Sequence, residues 1–160
     1  MLKRIISMVA CCLIVLPTFV WAESQGFKVA GEISFTKTGD IYLALVTKAQ
    51  FEKDARERAK AGEKKKYQES SPFRMIITIG DAEQKTHKVS FVFEHVPAGT
   101  YGIQSFQDVN GNGQLDIGIF SAKEPWGMYR PSRPAFRSPN FEEIAFEVKQ
   151  DLTDIQLELK

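Results

Sequence analysis

The chain has only two cysteines, Cys11 and Cys12, only two histidines, His87 and His95, and no surplus of charge, with 21 Lys and Arg against 20 Asp and Glu in 160 residues. Each shortage excludes something. Both cysteines fall within the first 22 residues, so the chain beyond them has neither a disulfide nor a thiolate, which excludes thiol catalysis and Cys-based zinc sites there. Balanced charge provides no concentrated basic surface, so nucleic acid is excluded as the main partner. No Ser/His/Asp pattern, His-x-x-x-His pair or phosphate-binding glycine loop between a strand and a helix occurs. After the first 22 residues no apolar run reaches the length of a membrane span.

What is there begins with an address. Lys3 and Arg4 form a positive start, Ile5 to Val20 an apolar stretch broken by Pro17, and Val20-Trp21-Ala22 a small-x-small cleavage signal. This predicts a signal peptide over 1–22, cleaved after Ala22, a periplasmic or secreted protein, and no stable membrane span after cleavage. Met8-Val9-Ala10-Cys11 imitates a lipidation box loosely, but leaves too short an apolar region before it. Removing Lys3 and Arg4 turns the formal charge of +1 into −1. The remaining 23–160 is one domain, long enough to bury a core unaided.

Seven segments in 23–160 have the composition or the alternation of strands: Phe27 to Phe35, Ile41 to Lys48, Phe73 to Ile79, Val89 to Phe93, Thr100 to Phe106, Ile144 to Val148 and Ile155 to Leu159. Thr36 to Asp40, with Gly39, predicts a hairpin between the first two, and Pro97-Ala98-Gly99 a sharp turn before the fifth. The fold class that follows is all-β, a single antiparallel β-sandwich, Ig-like or prealbumin-like. A charged insertion at 49–70 interrupts it. There Phe51, Ala55 and Ala59 recur every fourth residue, Glu52 faces Arg56 and Asp54 faces Arg58, which predicts a short exposed helix ending near Gly62. Lys64-Lys65-Lys66 is read as a solvated run, because Glu63 and Glu69 flank it.

One constellation carries chemistry. Asp108, Asn110, Asn112 and Asp116 place side-chain oxygens at relative positions 1, 3, 5 and 9, with Gly113 at 6. A calcium ion takes six to eight oxygens, and a tightly coiled loop presents alternate side chains to it, with the backbone carbonyl of Gln114 as the ligand at position 7. Leu115 would point into the core and pin the loop. Position 12 is Ile119 where an EF-hand has a bidentate glutamate, so this is not an EF-hand. With two charged ligands the site should bind calcium weakly, at roughly 10⁻⁴ to 10⁻³ M. Glu124 is a candidate extra ligand, or a member of a surface ion pair. Asn110-Gly111 and Asn112-Gly113 are also strong turn signals without any metal, and the sequence leaves both readings open.

The long loop 117–140 holds a second candidate surface, with Trp126, Tyr129, Arg130 and Arg133 set among four prolines. Aromatics with arginines suit an envelope glycan, lipid or protein, though such residues also anchor long loops. His87 and His95 flank one strand, and Glu142 and Glu143 open another, where successive side chains diverge, so neither pair makes an acid/base site. A weak hydrolase ranks third, behind a non-enzymatic domain with structural calcium and a ligand-binding module.

Taken together, Gly31-x-Ile33, Ile41 to Leu45, Phe93-x-x-Val96-Pro97-Ala98-Gly99-Thr100-Tyr101, Phe106-x-Asp108-x-Asn110-Gly111-Asn112-Gly113-x-Leu115-Asp116, Glu124-Pro125-Trp126-Gly127 and Pro139-x-Phe141-Glu142-Glu143 resemble the bacterial family called domain of unknown function 2141. The resemblance covers nearly all of 23–160. It implies a small exported, periplasmic β-sandwich similar to prealbumin-like and carboxypeptidase-regulatory-like modules, with no established activity. Two departures stand out: the charged insertion is longer than that family's connection, and Gly127-Met128-Tyr129 stands where Gly-Phe-Ser is usual.

Overall fold

The computed structural model describes residues 26–61, 73–118, 122–130 and 137–160, with backbone alone for 58–61. The expected signal peptide, residues 1–22 with Cys11 and Cys12, the run Lys64 to Lys66, Ile119 and Arg133 lie outside the described residues.

The elements in chain order are β1 (Phe27–Ser34), β2 (Asp40–Val46), α1 (Lys48–Ala61), β3 (Arg74–Ile77), α2 (Asp81–Thr86), β4 (Lys88–Val96), β5 (Gly99–Asp108), β6 (Trp126–Met128), α3 (Phe141–Ile144), β7 (Ala145–Val148) and β8 (Leu152–Glu158). They form two sheets, one ordered β4-β1-β8 and one ordered β3-β2-β5-β6, with β7 also paired to β5. All seven expected strands are present in place. The eighth, β6, falls within the stretch read as a long loop.

Two expectations about connectivity are corrected. Residues 36–39 are not a hairpin, because β1 and β2 lie in different sheets and the segment carries the chain across. Gly39 is needed there for close approach: a Cβ would stand 2.1 Å from the Asp108 carbonyl oxygen. The arrangement is also not wholly antiparallel, since β1 pairs with β8 in parallel, Gly31 opposite Ile155 and Ile33 opposite Leu157. A parallel neighbour needs a crossover, and β7 in the other sheet provides one. The Pro97-Ala98-Gly99 turn likewise passes the chain from β4 to β5 between sheets. The Tyr101 hydroxyl donates to the Pro97 carbonyl at 3.1 Å and fastens this corner, as a tyrosine corner does.

Period-two patterning explains the core. Val29, Ile33, Phe91, Phe93, Ile155 and Leu157 from one sheet meet Ile41, Leu43, Leu45, Tyr101, Ile103, Phe146 and Val148 from the other in one apolar cluster. Alternate residues of β2 and β5 face the opposite side, where Ala44 and Val46 are covered by Phe51 of α1 and by Phe141 and Ile144 of α3. So α1 is not simply exposed. Its Phe51 is 8% exposed, with its ring 5.9 Å from that of Phe141, and its Asp54 is paired with Arg74 of β3. Among the described residues no helix is long and apolar enough to cross a membrane.

Glu142 and Glu143 belong to the single turn of α3 and not to a strand, but they still diverge. Glu142 pairs with Lys48, while Glu143 accepts from Arg137 Nη2 at 2.8 Å and from the Asn140 N–H at 2.8 Å. The Arg137 hydrogen bonds, followed by that backbone N–H, pull the Glu143 carboxyl down from 4.5 to about 2. A depressed folded-state pKa contributes stability above the unfolded value that is lost as pH falls from about 4.5 through about 2. Melts of the wild type and of Glu143→Gln should therefore differ at neutral pH and converge in that acid window.

Candidate functional site

Asp108 ends β5, opposite Asp40 on the last rung of the β2–β5 ladder. The residue is 3% exposed, and its carboxylate gathers the following loop. Oδ1 accepts from the N–H of Gly111 at 2.8 Å and of Asn112 at 3.1 Å, and Oδ2 from the N–H of Gly113 at 2.7 Å. Such wrapping requires left-handed backbone, which glycine adopts without steric cost, and Gly111 and Gly113 have φ of +73° and +75°.

The next two candidate ligands repeat the device on a smaller scale. Asn110 Oδ1 accepts from the Asn112 N–H at 3.1 Å, and Asn112 Oδ1 from the Gln114 N–H at 2.8 Å. Their amide nitrogens converge on the fourth: Asn110 Nδ2 donates to Asp116 Oδ2 at 2.7 Å and Asn112 Nδ2 to Asp116 Oδ1 at 3.1 Å. The sequence-predicted quartet is thus one hydrogen-bonded unit. Gln114 sits in the same loop, and its side-chain Oε1 is buried with no hydrogen-bond partner among the described residues.

Glu124 is buried and not a member of a surface ion pair. It is 6% exposed, and its Oε1 accepts from the Val109 N–H at 2.8 Å while Oε2 accepts from the Asp116 N–H at 3.0 Å. One buried carboxylate therefore clamps both ends of the loop. Pro125 holds it in position, because the Pro125 carbonyl accepts from the Gln107 N–H of β5 at 2.9 Å. Leu115, expected to pin the loop from the core, is half-buried and belongs to neither core cluster. The pinning is polar and comes from Glu124. The only sign of this in the sequence is that Glu124 opens the motif Glu124-Pro125-Trp126-Gly127.

Of the second candidate surface, Trp126, Tyr129 and Arg130 fall among the described residues. Trp126 pairs with Phe106 on the face of β5 that points away from the shared core, next to the stacked rings of Phe106 and Tyr42, 4.8 Å apart. Tyr129, three residues on, lies on the opposite face against Phe146, with ring centroids 5.0 Å apart. Three residues of extended chain reverse the side. Arg130 lies over the Tyr129 ring at 5.9 Å. Trp126 and Tyr129 therefore do not share a platform.

What the loop can do chemically follows from its oxygens. Among the described residues no group of three or more His, Cys, Asp or Glu side chains is placed to hold a metal, so a cation here would rely on the amide and backbone oxygens beside Asp108 and Asp116. An amide oxygen has two acceptor positions, and Asn110 Oδ1 and Asn112 Oδ1 each take one backbone N–H in the hydrogen bonds above. His87 caps the end of α2 and packs on Phe35, and His95 sits in left-handed backbone near the end of β4, both far in sequence from the loop.

A family model described as an uncharacterized protein conserved in bacteria (DUF2141) matches residues 35–156. No curated protein and no solved structure matches the chain.

Proposed function

We propose that this chain, which belongs to the DUF2141 family, is an exported, non-enzymatic β-sandwich of the Ig-like or prealbumin-like kind whose 108–116 loop takes up calcium weakly and locks one end of the fold. The observation that carries the reading is the set of oriented oxygens. Asp108, Asn110 and Asn112 each have a carboxylate or amide oxygen tied to a backbone N–H further along the loop, so their directions are set before any ion arrives. An ion meeting pre-oriented oxygens has less ordering entropy to overcome.

Asp108, Asn110, Asn112 and Asp116 would supply side-chain oxygens and Gln114 its backbone carbonyl. Glu124, whose two oxygens each accept a backbone N–H, serves as the clamp that keeps the loop's ends together. The ion's role is structural, neutralising Asp108 and Asp116 at the end of β5. The export reading rests on the signal-like residues 1–22, and millimolar calcium outside the cytosol suits an affinity of roughly 10⁻⁴ to 10⁻³ M.

The test is a thermal melt of the purified chain in EDTA and in rising calcium, with Asp116→Ala beside it. At calcium some ten to a hundredfold above the dissociation constant, linkage adds about 1.4 to 2.7 kcal/mol. The wild-type midpoint should rise by several degrees and the variant's should not. A wild-type midpoint that ignores calcium at ten millimolar or so would sink the proposal, since that concentration saturates a site of this class.

A further inference from the structure

The loop contains two Asn-Gly bonds in succession, Asn110-Gly111 and Asn112-Gly113, and each has both of its reacting groups engaged. Spontaneous deamidation at such a bond begins when base removes the proton from the glycine N–H. The nitrogen then attacks the asparagine Cγ, the Cγ–Nδ2 bond breaks, ammonia leaves with the proton it needs, and a five-membered succinimide remains. Water opens this ring at either carbonyl to give aspartate or isoaspartate. Glycine favours the reaction because it has no side chain to hinder the attack.

In this loop the attacking nitrogens are the N–H donors to Asp108, at 2.8 Å from Gly111 and 2.7 Å from Gly113. Deprotonating an amide against a buried carboxylate places two negative charges side by side where solvent screens them poorly. The leaving groups are restrained as well, since Asn110 Nδ2 and Asn112 Nδ2 both donate to Asp116. We infer that Asn110 is a site of spontaneous deamidation with water as co-reactant, that Asp108 is the positioning residue which restrains it while the loop is closed, and that Asn112 follows more slowly. The order comes from exposure: Asn110 and Gly111 are exposed, whereas Asn112 and Gly113 are half-buried. The inference is independent of any bound ion.

The product has consequences for the loop. Aspartate at position 110 adds a third carboxylate of a type the calcium pattern accepts, which raises affinity for a hard cation. Isoaspartate adds a methylene to the backbone and breaks the register of the hydrogen bonds.

The test is peptide mapping by mass spectrometry after incubating the purified chain in warm, mildly alkaline buffer with EDTA, folded and in urea. Folded wild type should deamidate at least about tenfold more slowly than the unfolded chain, because reaction proceeds only from the opened loop, and Asn110 should precede Asn112. Asp108→Ala should bring both sites close to the unfolded rate. A folded wild type that reacts as fast as the chain in urea, or a folded Asp108→Ala that stays protected, overturns the inference. Should that variant fail to fold, amide hydrogen exchange of the wild type decides: Gly111 and Gly113 must be protected, and random-coil exchange at either refutes the restraint.

Discussion

Asp108→Ala is expected to lower the stability of the protein by about 4 kcal/mol in calcium-free buffer, the sum of several carboxylate hydrogen bonds worth about 1.5 to 3 kcal/mol each, reduced where water can replace the acceptor. Three backbone N–H groups lose their acceptor at once, from Gly111, Asn112 and Gly113. Gly111 is exposed and recovers a water partner, whereas Asn112 and Gly113 are half-buried and recover one less readily. Two of the three positions freed are also glycine, so the loop regains the backbone entropy that closure had removed. The midpoint should fall by about 10 °C at the sensitivity of a domain of this size. Asp108→Asn keeps one oxygen and should retain about half of the stability, because it can still gather the Gly111 and Asn112 N–H groups but opposes an amide to Gly113. Urea denaturation of the three proteins measures this, and a loss below about 1 kcal/mol for the alanine variant would mean that the carboxylate does not organise the loop.

Glu124→Gln should cost about 3 kcal/mol, and it separates two roles for this residue. The carboxylate takes one backbone N–H on each oxygen, at 2.8 and 3.0 Å, while 6% exposed. A glutamine fills the same space but must turn its NH2 toward one of those donors, leaving a part-buried N–H without an acceptor. If Glu124 were chiefly a metal ligand, the substitution would leave the calcium-free melt unchanged and abolish the calcium response. A clamp predicts the reverse emphasis: a lower midpoint in EDTA and a calcium response that persists at reduced affinity. The double variant Asp108→Ala, Glu124→Gln should lose less than the two single losses combined, by more than about 0.5 kcal/mol, since a loop already opened at one end has little left for the other clamp to hold.

The strands were legible because their signal is local. Alternation in Val89 to Phe93 and Ile155 to Leu159, and the β-branched and aromatic runs of β1, β2 and β5, need only a few neighbouring residues to declare which side faces a core. The helix from Lys48 was legible for the same reason, through Phe51 and its fourfold spacing. Among the site residues, Asp108, Asn110, Asn112 and Asp116 were legible as a set, because a loop that coils on itself uses residues close in sequence, and glycine at the sixth place marks the reversal.

Everything else was decided by contacts between distant residues. Whether Thr36 to Gly39 is a hairpin or a crossing depends on which sheet β2 joins, and that is set by burying Ile41, Leu43 and Leu45 against Val29 and Ile33 rather than by pairing beside them. The parallel pairing of β1 with β8 joins residues over a hundred positions apart, which no turn chemistry encodes. Three-residue β6 is too short to show a period, and it is a strand only because β5 offers an open edge from Gln104 to Phe106. That same pairing puts Trp126 and Tyr129 on opposite faces. It also draws Glu124 under the loop, where a residue with the sequence appearance of a surface charge becomes a buried clamp. Sequence by itself determined which short segments are strands and which loop gathers oxygens, since those are properties of neighbouring residues. Only the tertiary structure decided how the sheets divide the strands and what closes the loop, since burial and the satisfaction of buried polar groups are properties of the whole chain.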